Sequence, residues 1–172
     1  RWTLLDNKTI HDTSKIESFL DEISSGKRPF NPISEEVDTN NKEQIVNSNF
    51  VDKIKNENKH TIVLFLATKT GPEYMFYRIF QATKEILPQI SFFTFDLSKN
   101  DIPENISYYR AQPYFLLFKK ETTDPIQLDL GTSFQNFVSV ITKKLDDVEA
   151  PNVNYLEIQT KIQEDIKSNR FH

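Results

Sequence analysis

The chain contains no cysteine in its 172 residues. Without a thiol, disulfide bonds, cysteine-based zinc sites and thiol catalysis are all excluded. Glycine is also scarce, and its three residues are too few for a glycine-rich phosphate-binding loop. The histidines His11, His60 and His172 stand in separate polar contexts, without the spacing of metal ligands. The composition therefore predicts neither a metal site nor a bound cofactor.

Neither a strong charge of one sign nor a long apolar run is present. The net charge is −4, with 21 basic residues among 25 acidic ones, which argues against nucleic acid or an anionic membrane surface as the main partner. No apolar run approaches the ~18 residues that would predict membrane insertion. No signal peptide is visible, and Arg1 looks like the start of an excised fragment. Glycosylation sequons at Asn7 and Asn105 permit a secretory location.

One stretch of the chain, residues 62–73, joins an apolar half to a polar half. Its first half, residues 62–67, is an unbroken apolar run that favours a strand buried on both faces. The polar turn that follows contains Gly71 and Pro72 and opens directly into a helix. A ligand or a reactive group is commonly placed at such a strand–turn–helix junction.

Apolar periodicity predicts the order β-α-β-α-β-α-β-β-α for residues 45–145. This order combines a parallel βαβ half with an antiparallel hairpin half, which is an α/β fold with helices on both faces of a mixed sheet. A short helix from Pro103 is predicted between the second and third of the long strands. Ser133 is predicted to cap the last helix of this order.

Two further helices are predicted outside this order. The first follows Asp12 and ends at Gly26, and between it and residue 43 the sequence predicts an exposed linker in which Glu35 is solvated. The second covers residues 155–166, where the apolar positions are loosely periodic: Leu156, Ile158, Ile162 and Ile166.

Three motifs of the chain, taken with their order and spacing, carry a resemblance to a known family. Phe65-Leu66-Ala67-Thr68-Lys69-Thr70-Gly71-Pro72-Glu73 lies over the family's Phe-Tyr-Ala-Pro-Trp-Cys-Gly-His-Cys. Ala111-Gln112-Pro113-Tyr114-Phe115-Leu116-Leu117-Phe118 lies over its Gly-Phe-Pro-Thr-Leu-Lys-Phe-Phe, with Pro113 at the family's cis-proline. Leu130-Gly131 matches the glycine after the last strand. Together the three motifs resemble the last thioredoxin-like domain of protein disulfide isomerases, the a′ domain. The resemblance implies a thioredoxin fold and a location in the lumen of the endoplasmic reticulum.

The resemblance also implies a domain organisation. Residues 16–27 resemble the last helix of the preceding b′ domain. We therefore predict that residues 1–27 are the end of that domain or an N-terminal extension, and that 28–43 form a linker. Residues 44–146 are the a′-type domain and 147–172 an acidic, helical tail.

The departures from the family pattern argue against its chemistry. Thr70 and Glu73 replace the two redox cysteines, and Pro72 replaces the histidine between them. The family's buried proton-relay glutamate corresponds to Leu64, and its helix-kinking proline to Arg78. No catalytic residue is predicted. We interpret Thr70 as the helix N-cap, at capping-box spacing from Glu73.

A remnant binding surface remains a hypothesis. In the family the cis-proline exposes the backbone of the preceding residue, here Gln112, where an extended peptide can pair. The candidate binding residues are Lys69, Thr70, Gly71, Pro72, Gln112 and Pro113. The alternative is that Pro113 only shapes the sheet edge.

The resemblance thus predicts a redox-inactive domain of a protein disulfide isomerase-like protein. It would bind unfolded clients or partner polypeptides, or position neighbouring thioredoxin-like domains of the same parent chain. A second reading is a non-catalytic fragment of an active isomerase whose cysteines lie in other domains. A third is a thioredoxin-fold enzyme of non-thiol chemistry that uses Thr70, such as a transferase.

Overall fold

The computed structural model describes residues 13–27, 32–67, 69, 71–104, 106, 113–130 and 133–169. Within them lie the helices α1 (Thr13–Ser24), α2 (Phe50–Asn56), α3 (Pro72–Ile86), α4 (Phe134–Lys144) and α5 (Tyr155–Asn169). The strands are β1 (Thr61–Leu66), β2 (Ser91–Asp96), β3 (Tyr114–Phe118) and β4 (Pro125–Leu128). No helix in these ranges is both long and apolar enough to cross a bilayer. Asn7 and Asn105, the predicted sequons, lie outside the described residues.

The four strands form one mixed sheet in the order β2-β1-β3-β4. β1 runs parallel to β2 through the crossover helix α3, whereas β3 is antiparallel to both of its neighbours, β1 and β4. A βαβ unit joined in this order to a ββα unit is the topology of the thioredoxin-like fold. The predicted α/β fold class is therefore confirmed.

β1 is the centre of the core, because both of its faces are buried as predicted. Ile62, Leu64 and Leu66 face a cluster that α3 and α4 cover. Val63 and Phe65 face the opposite cluster, which α2 covers. The ring of Phe65 lies 4.9 Å from that of Phe95 and 4.8 Å from that of Tyr114. Each such aromatic pair adds about 0.5–1.5 kcal/mol beyond the area it buries.

Three local features differ from the sequence expectations or refine them. Where the predicted order begins with a strand at residue 45, the structure has a single parallel bridge between Gln44 and Thr94, and a 3₁₀ turn follows from Asn47. The predicted short helix from Pro103 falls mostly on residues outside the described ranges; within them, the Ile106 N–H donates to the Pro103 carbonyl at 2.9 Å. Ser133 caps α4 as predicted, with its Oγ accepting the Asn136 N–H at 3.1 Å.

α1 ends as the sequence predicts. Gly26 has φ +67°, a conformation that glycine adopts without strain. The Lys27 N–H donates to the Glu22 carbonyl at 2.9 Å and the Gly26 N–H to that of Ile23 at 3.0 Å. These two bonds form a Schellman motif, which satisfies carbonyls at the helix end.

The segment after α1 is bound to the thioredoxin-like unit. Ile33 and Asp101 exchange two hydrogen bonds of 2.8 Å, one of them to the Asp101 carboxylate. The Glu35 side chain is only 16% exposed and accepts a hydrogen bond from Asn100 at 3.0 Å. The expectation that Glu35 is simply solvated is therefore wrong, because a buried amide recruits it. The boundary of the linker at 28–43 stays a prediction.

α5 packs across α3 and α4 as a further layer. Ile162 is buried in the cluster beneath these helices, and Asp165 forms a salt bridge with Arg78 of α3. Arg78 thus connects α3 to the tail helix. Leu156 was predicted on the apolar face but is 76% exposed, and Tyr155 packs there instead, with its ring 6.2 Å from that of Phe134.

Candidate functional site

The turn that follows β1 leads into α3 through a glycine. Gly71 is the N-cap residue of α3, with φ +58° and ψ −138°. This is a positive φ that favours glycine over residues with a Cβ. The prediction that Thr70 is the N-cap is therefore wrong, since the backbone enters the helix at Gly71. Thr70 itself lies outside the described residues.

Glu73 closes this turn back onto the end of β1. Its Oε2 accepts a hydrogen bond from the Ala67 N–H at 2.9 Å. A carboxylate in the first turn of a helix also lies at the positive end of the helix dipole. The first turn of α3 therefore holds an acidic side chain bonded to the backbone at the end of β1.

Lys69 is the exposed cation of the turn. Its Nζ lies 4.6 Å from the centroid of the Tyr77 ring on α3, within the range of a cation–π contact. No ion pair of Lys69 occurs in the part of the chain that the structure describes. Its ammonium group therefore keeps donors for a ligand.

Pro113 lies next to this turn across the sheet. Tyr114 at the start of β3 forms the last pair of the β1–β3 ladder with Phe65, and Pro113 directly precedes it in the chain. The rings of Phe65 and Tyr114 stack at 4.8 Å with an angle of 12°. The structure thus brings Pro113 close to the turn, while Gln112 lies outside the described residues.

A groove of about 470 Å³ opens beside Pro113. It runs from α3 along the ends of β3 and β4, and β4 is an edge strand of the sheet. An edge strand presents unpaired N–H and C=O groups, to which an extended peptide can add as a further strand. The groove is lined by Phe76, Pro113, Tyr114, Phe115, Gln127, Leu128, Asp129 and Leu130.

No candidate metal site is found where the structure describes the chain, because its acidic and histidine side chains form no group of three or more. His11 and His172 lie outside the described ranges. His60 bonds Asp147 through Nε2 at 2.7 Å and the Lys120 N–H through Nδ1 at 2.9 Å. Both ring nitrogens therefore serve the structure.

Sequence reasoning missed the residues on the other side of the turn. Thr94 and Lys99, with Glu35, line a second cleft at the ends of β1 and β2. The residues that line it come from segments about sixty positions apart in the sequence. The hydrogen bond between Glu35 and Asn100, which joins these segments, has a sequence separation of 65 residues. No local periodicity signals such a pairing.

No protein-family model matches the chain. A search of curated proteins finds no match. Among solved structures, the chain is similar to chloroplastic thioredoxin z, whose crystal structure is described as defining a novel type-specific target recognition. The identity is 15%, the match covers 73% of this chain and 94% of the other, and the TM-score is 0.41. At so low a TM-score the likeness carries no argument, and the fold assignment rests on the strand order.

Proposed function

We propose that this chain is a redox-inactive thioredoxin-like domain of a protein disulfide isomerase-like protein that binds unfolded clients or partner polypeptides. The observation that carries the proposal is the turn after β1. Glu73, which the resemblance aligns with a redox cysteine, holds a carboxylate bonded to the Ala67 N–H. The chain has no cysteine that could supply a thiolate. The endoplasmic reticulum lumen is the location that the resemblance implies.

The groove beside Pro113 supports peptide binding. Phe76 and Leu128 offer apolar contact, whereas Gln127 and Asp129 stand at an exposed rim. Peptide recognition commonly combines main-chain pairing with such pockets for alternate side chains. A client bound here is expected to be extended and to place an apolar residue against Phe76.

Binding is tested with a fluorescently labelled unfolded polypeptide whose cysteines are alkylated. Gln127→Trp places a bulky ring at the exposed rim of the groove, where it obstructs the client, and should weaken binding about tenfold or more. Gln135→Trp, at an exposed position of α4, is the matched control and should bind like the wild type. Gln112→Ala tests the backbone-pairing hypothesis in the same assay. Equal affinity of Gln127→Trp and Gln135→Trp would refute the groove as the client site.

The loss of redox chemistry has its own test. Reduction of insulin disulfides by dithiothreitol should proceed at the same rate with and without the protein, because no thiolate is present to exchange. A protein-dependent acceleration would overturn the proposal even if clients bind.

Domain positioning is a second candidate role, favoured by the bonds that tie residues 33–35 to Asp101 and Asn100. A segment bonded in this way holds α1 more firmly than a free tether does. The absence of native cysteine permits spin labels at Leu20→Cys and Gln135→Cys alone. The distance between the two spin labels should have a narrow distribution that broadens when Asn100→Ala is added. A broad distribution while Asn100 is still present would contradict the positioning role.

A further inference from the structure

A second cleft, of about 290 Å³, lies at the carboxyl ends of the parallel strands β1 and β2. In α/β sheets, ligands bind in crevices outside the carboxyl ends of strands. The volume is close to the lower end of ligand pockets, about 300 Å³, so it suits a small group. The cleft is lined by Glu35, Asn41, Gln44, Leu66, Ala67, Lys69, Thr94, Asp96 and Lys99. We name it the β1–β2 cleft.

The feature that points to a ligand is Thr94. The residue is only 8% exposed, and its backbone is held by Glu43 and Ile45. Its hydroxyl lines the cleft without a hydrogen-bond partner among the described residues, and it is not sealed off from solvent. A hydroxyl on a rigid strand that uses none of its bonding capacity within the fold is available to a ligand in the cleft.

Other donors of the β1–β2 cleft are also unused. The Gln44 side chain accepts from the Asp38 N–H at 2.7 Å and that of Asn41 from the Glu43 N–H at 3.2 Å, so each amide oxygen is engaged. Within the described ranges the amide NH₂ groups of these two residues have no acceptor. The ammonium group of Lys69 has only its ring contact.

The acceptors, in contrast, are already paired. Lys99 lies 3.5 Å from the carboxylates of both Glu35 and Asp96. Asp96 also accepts from the Ser98 hydroxyl at 2.5 Å. The carboxylate of Glu35, and next that of Asp96, raise the pKa of Lys99, which keeps it charged at neutral pH. Both carboxylates of the cleft are therefore engaged by Lys99, whereas Thr94, Gln44 and Lys69 have donors without an acceptor among the described residues.

We propose that the β1–β2 cleft binds a carboxylate group, with the Thr94 hydroxyl, the Lys69 ammonium and the Gln44 amide as its donors. Charge-assisted hydrogen bonds of this kind are shorter and stronger than neutral ones. The carboxylate belongs either to a small organic acid or to the C-terminus of a polypeptide. This site lies on the β2 flank of the turn, whereas the groove beside Pro113 lies on the β3 flank, so it does not depend on client binding there.

The test is an NMR titration of the ¹⁵N-labelled protein with N-acetylglycine, and with N-acetylglycinamide as the neutral control. N-acetylglycine should shift the amide signals of Leu66 and Thr94 saturably, and the amide should not. Thr94→Val removes the hydroxyl at nearly constant shape, and Lys69→Gln removes the cation. Each should weaken binding about tenfold or more, the effect of losing one hydrogen bond to a charged group. Thr123→Val and Lys143→Gln are the controls and should bind like the wild type.

A second measurement separates binding from damage to the fold. Because the Thr94 hydroxyl bonds no protein group among the described residues, Thr94→Val should leave the free energy of unfolding nearly unchanged. N-acetyl-triglycine distinguishes the two sources: tighter binding than N-acetylglycine indicates a polypeptide C-terminus, and equal binding a small acid. The proposal is overturned if N-acetylglycine causes no saturable shift, if its amide binds equally, or if Thr94→Val or Lys69→Gln binds like the wild type.

Discussion

Asn100 ties the segment before the thioredoxin-like unit to the loop after β2, and Asn100→Ala is expected to release it. The residue is only 5% exposed. Its Oδ1 accepts the backbone N–H of Glu35 at 3.0 Å and of Asn47 at 3.2 Å. Its Nδ2 donates to the Glu35 carboxylate and to the Asp96 carbonyl, each at 3.0 Å. One side chain thus completes four hydrogen bonds between three segments.

The magnitude follows from these bonds. Each contributes about 0.5–1.5 kcal/mol net, and the bond to a carboxylate somewhat more. Water reaches some of the freed groups at the half-buried Glu35, which offsets part of the loss. We therefore expect Asn100→Ala to lower the free energy of unfolding by about 2–4 kcal/mol. Asn100→Asp should be at least as damaging, because it replaces the donor with an oxygen facing the Glu35 carboxylate.

Urea unfolding combined with amide hydrogen exchange measures both effects. Protection should fall at Glu35 and Asn47, whose N–H groups lose their acceptor, and persist at Phe65 in β1. The matched control is Asn152→Ala, because Asn152 is exposed and its side chain makes no hydrogen bond to the described residues. If Asn100→Ala lowers the free energy of unfolding no more than Asn152→Ala does, and protection at Glu35 is unchanged, Asn100 does not hold the segment in place.

Three further substitutions test the packing of the tail, the acid side of the stability curve and the turn. Ile162→Ala should cost about 2–5 kcal/mol in urea unfolding, whereas Leu156→Ala on the same helix should cost less than about 0.5; equal costs would contradict the docking of α5. The hydrogen bond with His60 lowers the pKa of the Asp147 carboxyl, so this stabilisation is complete above about pH 4 and disappears as the pH falls through the lowered value. Asp147→Asn should therefore make Tm fall less steeply as the pH is lowered below about 4. An unchanged slope would show that ionisation of Asp147 does not contribute to stability. Glu73→Ala should cost about 1–2 kcal/mol in thermal unfolding, and Glu73→Gln less because its amide oxygen still accepts the same N–H; equal costs would exclude that bond as the cause.

The layout of the sheet could be predicted because its information is local. Residues 62–67 are apolar without a break, and the strand they predict is buried on both faces. The cap at Ser133 and the helix end at Gly26 follow from single residues with strong positional preferences. Such signals depend on neighbours within about four positions, which is the range over which a sequence pattern is informative.

The candidate site was predicted less completely, because it depends on contacts between distant segments. Tyr155 and Leu156 are adjacent and apolar, and only the position of α4 decides which of them is buried. Glu35 sits in a charged, proline-containing segment that favours a solvated linker, until the buried amide of Asn100 is placed beside it. Gly71 rather than Thr70 caps α3, because the residue that enters the helix has a positive φ. The capping-box spacing that predicted Thr70 contains no information about this backbone angle.

The turn between β1 and α3 separates two surfaces of different chemistry. On its β3 flank, Pro113 borders a groove with apolar walls, and on its β2 flank Thr94 and Lys69 offer donors. The Glu73–Ala67 bond closes the turn between them. If the two surfaces bind independently, Gln127→Trp weakens only client binding and Thr94→Val only carboxylate binding. Loss of both ligands in either variant would instead mean that the turn couples the two surfaces, which requires two arrangements of the turn with different affinities.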